Sequence, residues 1–385
     1  MDLLTIDSPD DVRAGGFYDR RYEAVAGAFL SNFRARGEVG AAVCVYEGGV
    51  PVVDLWGGMA DPATGRPWAA DTLVCMMSVG KALAALCLLR LVDRGAVALD
   101  RPVADYWPGF GQAGKQSITV AQILDGLASL VWIDEAPDGS LMDWEQMVAA
   151  IERQSPNWPP GTAGAYHSMS AGFLFGELVR RVDGRDIGTF FREEIALPLG
   201  MDYRFGVTAE MSGRIAPLLP SNESATLNAL ADVNTPLGRA WRPQPAVEDF
   251  FNSPAFREGL FPSANGHGNA RGVARLYAAF ANHGEIDGVR ILSAGLTGRL
   301  SDAAWHADCA LTGREFAYGL GFFQNLPQPA IMGPSARSFG HPGAGGAIGF
   351  ADPEHNLAFA YSPNKMCGGA SIGDRCSALI AAVYS

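Results

Sequence analysis

From the amino end, apolar positions recur every three or four residues across "RRYEAVAGAFLSNFRARGE", residues 20–38, a spacing that predicts a helix. Two β-rich runs follow, "AAVCVYEGG" and "VPVVDLWGG", separated by Gly48-Gly49 in the manner of a hairpin. From about residue 66 to 290 the pattern changes to amphipathic helices set between Pro- and Gly-rich loops such as "SPNWPPGTAG". β signals return from "FAYGLGFFQN" onward, through "GAIGFADP" and "LAFAYSP" on either side of "EHN". The last stretch, "SIGDRCSALIAAVYS", reads as a helix. Strands divided between the two ends of a chain complete one antiparallel sheet only if those ends come together. The pattern therefore predicts an α+β fold. Residues 1–65 and 290–385 form a discontinuous domain, an antiparallel sheet flanked by helices, and residues 66–289 form a mainly helical domain, with a cleft between them. No internal repeat or low-complexity tract is present.

Composition narrows the class of protein. The net charge of -12 over 385 residues argues against nucleic acid and anionic membrane as partners, because both are bound by basic surfaces. The opening "MDLLTIDSPDDVRAGG" lacks the basic and apolar stretches of a signal peptide, and no apolar run approaches the length of a bilayer span. The six cysteines (Cys44, Cys75, Cys87, Cys309, Cys367 and Cys376) show no C-x-x-C pair and no metal-ligand spacing. They read as reduced thiols, most of them small core hydrophobes, which points to the cytoplasm.

One charge sits where the pattern asks for none. "CMMSVGKALAALCLLRLVDRG", residues 75–95, is an apolar helix with Lys81 near its start, in a chain with three lysines among 29 basic residues. Ser78 precedes it by three positions, so hydroxyl and amine share a helix face. A serine becomes a nucleophile when a base takes its proton, and a lysine becomes a base when desolvation disfavours its ammonium form. Free N–H groups at the helix start suit a developing oxyanion. The competing reading is a capping serine beside a snorkelling lysine. A second S-x-x-K, Ser362 to Lys365, follows a β run and contains Pro363 and Asn364, so no helix aligns its side chains.

The segment "DTLVCMMSVGKALAALCLLRLVDRGAVALDRPVADYWPGF" resembles the active-site region of the serine β-lactamase and penicillin-binding-protein superfamily, closest to its class C β-lactamase-like branch with the family VIII carboxylesterases and related acyltransferases. Tyr166-His167-Ser168 stands for the family's Y-x-N and His341-Pro342-Gly343 for its K-T-G or H-T-G, in the family's order. "PSANGHGNARGVARLYAAFANHGEIDGVRILS" is similar to a connecting segment of these esterases, and the likeness runs from about residue 15 to the end. It implies a β-lactamase/transpeptidase-like fold and an acyl-enzyme on Ser78. Lys81 and Tyr166 become the base system, as phenolate or as proton relay. Gly343 lets a strand approach the substrate, and the Ala344 N–H joins that of Ser78 as an oxyanion donor. His341 is expected to donate a hydrogen bond near the acyl or carboxylate side.

Three departures from the family pattern stand out. Ser168 replaces an asparagine, His341-Pro342 weakens a carboxylate-binding pocket, and "ILDGLASLVW", residues 123–132, carries Gly126 and Ser129 where relatives show a His-Thr-Ser-Gly-like stretch. The first two changes favour a small-molecule ester or other neutral acyl donor, and the third is assigned nothing beyond reshaping a loop near the cleft. The expected activity is that of an esterase-type serine hydrolase. An acyltransferase serving an alcohol or amine is the alternative, ahead of a β-lactamase, a D-aminopeptidase or a non-catalytic binding protein. Gly369-Ala370-Ser371-Ile372-Gly373 fits G-x-S-x-G but no histidine follows it, and "GAGGAIG" lacks a P-loop lysine. His267, His283, His306 and His355 lie without metal spacing and read as loop residues. No metal or organic cofactor is implied.

Overall fold

The strand Leu357–Pro363 is where the two ends of the chain meet. It pairs antiparallel with Gly40–Glu47, placing Phe359 opposite Val45, and on its other edge with Ile348–Asp352. The computed structural model describes residues 2–6, 12–368 and 372–385. In it an 11-stranded antiparallel sheet runs from Leu3–Thr5 through Ala14–Asp19, Val50–Asp61 and Gly40–Glu47 to Leu357–Pro363. It continues through Ile348–Asp352, Phe339–Pro342, Phe322–Gln324 and Glu315–Gly319 to Trp305–Asp308, and Arg66–Pro67 joins it beside Val50–Asp61. Gly48 and Gly49 form the expected hairpin turn. Ser371, in the set-aside G-x-S-x-G match, lies outside the described residues.

Strand alternation assigns the two faces. Val43, Val45, Phe359 and Tyr361 pack with Val25, Phe29 and Leu379 from the terminal helices Glu23–Ala35 and Gly373–Val383. Cys44, Tyr46, Ala358 and Ala360 point the other way, toward Val273 and Tyr277 of the helix Ala270–Ala281. Both faces are covered, so these strands read as apolar runs rather than clean alternation. The helix Ala270–Ala281 belongs to the segment expected to be the helical part, yet its apolar stripe is buried on the sheet.

A smaller sheet was not legible in the pattern. Its order is Tyr203–Phe205, Gly266–Gly268, Leu73–Cys75, Ile215–Ala216, with the last pair parallel. Strands of two or three residues are too short to display a period. His267 sits in this sheet and is buried, and His306 lies on Trp305–Asp308, so neither is a loop residue. The helix Val79–Asp93 packs against Ala171–Asp183 and Ile187–Phe191, with Val79 through Leu89 buried on every side. No helix among the described residues is long and apolar enough to cross a membrane.

The junction of the termini contains a buried polar network. The Glu38 carboxylate accepts hydrogen bonds from the Tyr361 hydroxyl and the Arg375 guanidinium, and Arg375 also donates to the Lys365 carbonyl at 2.5 Å. Burial pushes the Glu38 carboxyl up, while the guanidinium opposes that push. Removing one member of such a pair strands the other. Arg375→Met is therefore expected to lower unfolding free energy by about 3–5 kcal/mol in urea titrations. Adding Glu38→Gln should recover part of that loss, and a loss below about 1 kcal/mol for the single variant would contradict the network's role.

Candidate active site

Strand Leu73–Cys75 leads through Met76 to Met77, whose φ of +49° places a non-glycine residue in the left-handed region. That bend sets Ser78 at the N-cap of the helix Val79–Asp93. The Ser78 side chain makes no capping bond, so the capping alternative fails. Its Oγ instead lies 2.9 Å from Lys81 Nζ. The lysine is fully buried, and its nitrogen also donates to the Ser263 carbonyl at 2.6 Å. Desolvation holds its pKa well below the usual lysine value, with no carboxylate to oppose it. A neutral amine has a lone pair to receive the Ser78 proton.

Tyr166 stands over the same pair, with Lys81 Nζ 4.9 Å from its ring centroid and its hydroxyl hydrogen-bonded to Ser78. Burial raises the phenol's pKa, and the bond to Ser78 only partly offsets this. The geometry therefore suits a neutral phenol relaying a proton, rather than a standing phenolate.

The stretch 123–132, unassigned in the sequence, braces this tyrosine. Ala165 N–H donates to Gly126 O at 3.0 Å, and Leu130 N–H donates to His167 Nε2 at 3.1 Å. His167 Nδ1–H in turn donates to the Ala165 carbonyl at 2.9 Å. Burial lowers the His167 pKa to about 4, so the ring is a neutral clamp. Gly126 has φ +69°, and a Cβ there would come within 2.6 Å of Ala165 O. His167 and Ser263 are the contributors missed in the sequence. Each acts through its backbone or its neighbours, and no motif marks that.

Strand Phe339–Pro342 supplies the third side, with one correction. His341 is fully buried, with Nδ1 2.7 Å from the Pro342 carbonyl, so Nδ1–H is already donating. Nε2 is left as an acceptor with no partner among the described residues. Burial lowers its pKa to about 3. It is not the expected donor to substrate, and it adds no positive charge. A Cβ on Gly343 would lie 2.3 Å from Met76 O, so this glycine lets the strand end close on the Ser78 turn. Among the described residues the N–H groups of Ser78 and Ala344 take no partner, and both residues line one cavity.

That cavity encloses about 440 Å³ and is mostly apolar, with walls from Met77, Leu237, Phe316, Phe323 and Ile331. Its charged lining residues, Arg314 and Glu315, are exposed at the rim. Ser168 also lines it, its Oγ accepting from Trp241 Nε1 at 2.9 Å. Ser362, of the rejected second S-x-x-K, instead accepts a hydrogen bond from the Ala270 N–H at 3.1 Å. No cluster of three metal-ligating side chains occurs among the described residues.

Burial of Lys81 carries a linkage consequence. Between its depressed folded pKa and the ordinary value near 10.5, the unfolded chain binds a proton that the folded chain does not, so stability rises with pH. Thermal melts of wild type and Lys81→Met at pH 7 and pH 9 test this. The difference, wild type minus variant, is expected to grow more positive at pH 9, and a constant difference would contradict a desolvated amine.

A protein-family model described as Beta-lactamase matches residues 28–379. The chain is 34% identical over 382 residues to "Esterase/beta-lactamase LipL" of Mycobacterium tuberculosis, covering 95% of this chain and 87% of that protein. A family VIII carboxylesterase crystal structure superposes with a TM-score of 0.87 at 34% identity, covering 100% of this chain and 99% of that one. A penicillin-binding-protein homologue from Caulobacter crescentus gives 0.86 at 35% identity, with the same coverage.

Proposed function

This chain belongs to the β-lactamase family of serine hydrolases, and on that premise we propose that it is an esterase forming an acyl-Ser78 intermediate with small ester substrates. The observation that carries the reading is the 2.9 Å approach of a fully desolvated lysine amine to the Ser78 hydroxyl. Ser78 Oγ attacks the ester carbonyl while its proton passes to Lys81, directly or through the Tyr166 hydroxyl. The carbonyl oxygen becomes an oxyanion facing the Ser78 and Ala344 N–H groups. Collapse breaks the bond to the alkoxide, which takes the proton back as it leaves. Water then repeats the sequence on the acyl-enzyme and releases the acid.

The exposed rim at Arg314 and Glu315 gives water a path to the acyl group, which favours hydrolysis over transfer to an alcohol or amine. Neutral His341 and the apolar lining favour an uncharged acyl donor over a carboxylate-bearing antibiotic or peptide. The six cysteines remain separate thiols in the fold, which supports a reducing compartment such as the cytoplasm.

Intact-mass measurement after mixing with a p-nitrophenyl short-chain ester, and with a fluorophosphonate, is expected to show one adduct that Ser78→Ala abolishes. Labelling undiminished in that variant would overturn the nucleophile. Lys81→Ala and Tyr166→Phe should each slow turnover by about 10²–10⁴-fold, the usual worth of a proton-transfer partner. Transfer products formed from added alcohols at the expense of free acid would favour the acyltransferase reading.

A further inference from the structure

Two parts of an ester make different demands on a site. The alcohol departs after the first half-reaction and needs a route to solvent, whereas the acyl chain stays through both and gains by burial. The cavity offers both kinds of surface. Arg314 and Glu315 line it from exposed positions, and the helices Ala225–Ala231 and Pro236–Trp241 contribute an apolar wall. That wall presents Leu230, Leu237 and Trp241, the last two being four residues apart and so on one helix face.

Trp241 is 4% exposed and closes the wall. Phe251 and Phe261 lie behind it, with ring centroids 6.0 and 5.5 Å away, so the indole has nowhere to retreat. Its Nε1–H donates to Ser168 Oγ, two residues from Tyr166, which fixes the ring relative to the catalytic group. The short helix carrying it is pinned from outside. Trp132 Nε1 donates to Pro236 O at 2.9 Å, and Arg239 makes a forked bond to Asp134 at 3.0 and 2.6 Å.

We propose that Trp241 is a specificity-determining residue, a rigid stop that restricts the acyl side to short, uncharged alkanoyl groups. This rests on the acyl-enzyme reading above. Each methylene that fits before the indole should raise kcat/KM about four-fold, the usual gain for burying one CH₂, and the next should reverse the trend.

The test is the kcat/KM profile of wild type and variants across p-nitrophenyl acetate, butyrate, hexanoate and octanoate, with acyl-Ser78 stoichiometry followed by mass spectrometry. Trp241→Leu is expected to move the optimum at least two carbons longer, chiefly through KM. Trp241→Phe keeps the bulk and loses the bond to Ser168, and should leave the optimum in place. Leu230→Phe narrows the same wall from a half-buried position and should move the optimum shorter, deciding the matter if Trp241→Leu does not fold. Ser78 adducts that form with the same optimum in Trp241→Leu and Leu230→Phe would overturn this inference alone. Absence of any Ser78 adduct in wild type would overturn the esterase reading and this one with it.

Discussion

Everything at the centre of this molecule is arranged around an amine denied water. A lysine in an apolar helix is costly as an ammonium, and burial shifts Lys81 toward its neutral amine, which has two oxygen partners, the Ser78 hydroxyl and the Ser263 carbonyl. The same burial that penalises the charge is what the proposed role of Lys81 as a base requires. Three structural commitments follow from it. The helix is apolar on every side, the turn before it bends through a left-handed methionine, and the loop bearing Ser263 is locked by its own hydroxyl to Met169 O and Gly172 N.

The electrostatics around the amine are sparing. Its depressed basicity arises from desolvation, without help from a second cation, because the neighbouring His341 is itself buried and neutral. The phenol beside it is likewise held in its neutral form. The reacting atoms therefore sit among groups that exchange protons at little cost in net charge, in an apolar cavity where isolated charge is expensive. Among the described residues, the fixed guanidinium that lines the cavity is that of the exposed Arg314.

Much of this was legible in the sequence because its signals are long or chemically unusual. Gly40–Glu47 and Val50–Asp61 are long enough to show β character around Gly48-Gly49, and a lysine within a run of leucines and alanines stands out by itself. What escaped depends on contacts that no local pattern encodes. The four short strands pair only because tertiary packing brings them together. The helix Ala270–Ala281 looks like any other amphipathic helix, and only the fold reveals that its stripe lies on the sheet. His341 was expected to be a donor, but its proton is taken by the carbonyl of its own neighbour, a matter of one ring orientation. Stretch 123–132 was opaque because its hold on the segment bearing Tyr166 is made by backbone groups, which every residue possesses.

The pairing of Gly40–Glu47 with Leu357–Pro363 also governs how the molecule can be made. These strands lie near the middle of the sheet, yet more than three hundred residues of chain separate them. During synthesis the hairpin of Gly40–Glu47 and Val50–Asp61 emerges first and has one edge unpaired until Leu357–Pro363 has followed it out of the ribosome. Closing a ladder across so long a separation is entropically costly and slow, and an open apolar edge is an invitation to other chains. Leu357–Pro363 and the helix Gly373–Val383, which carries the Arg375 partner of Glu38, therefore decide when the sheet can close.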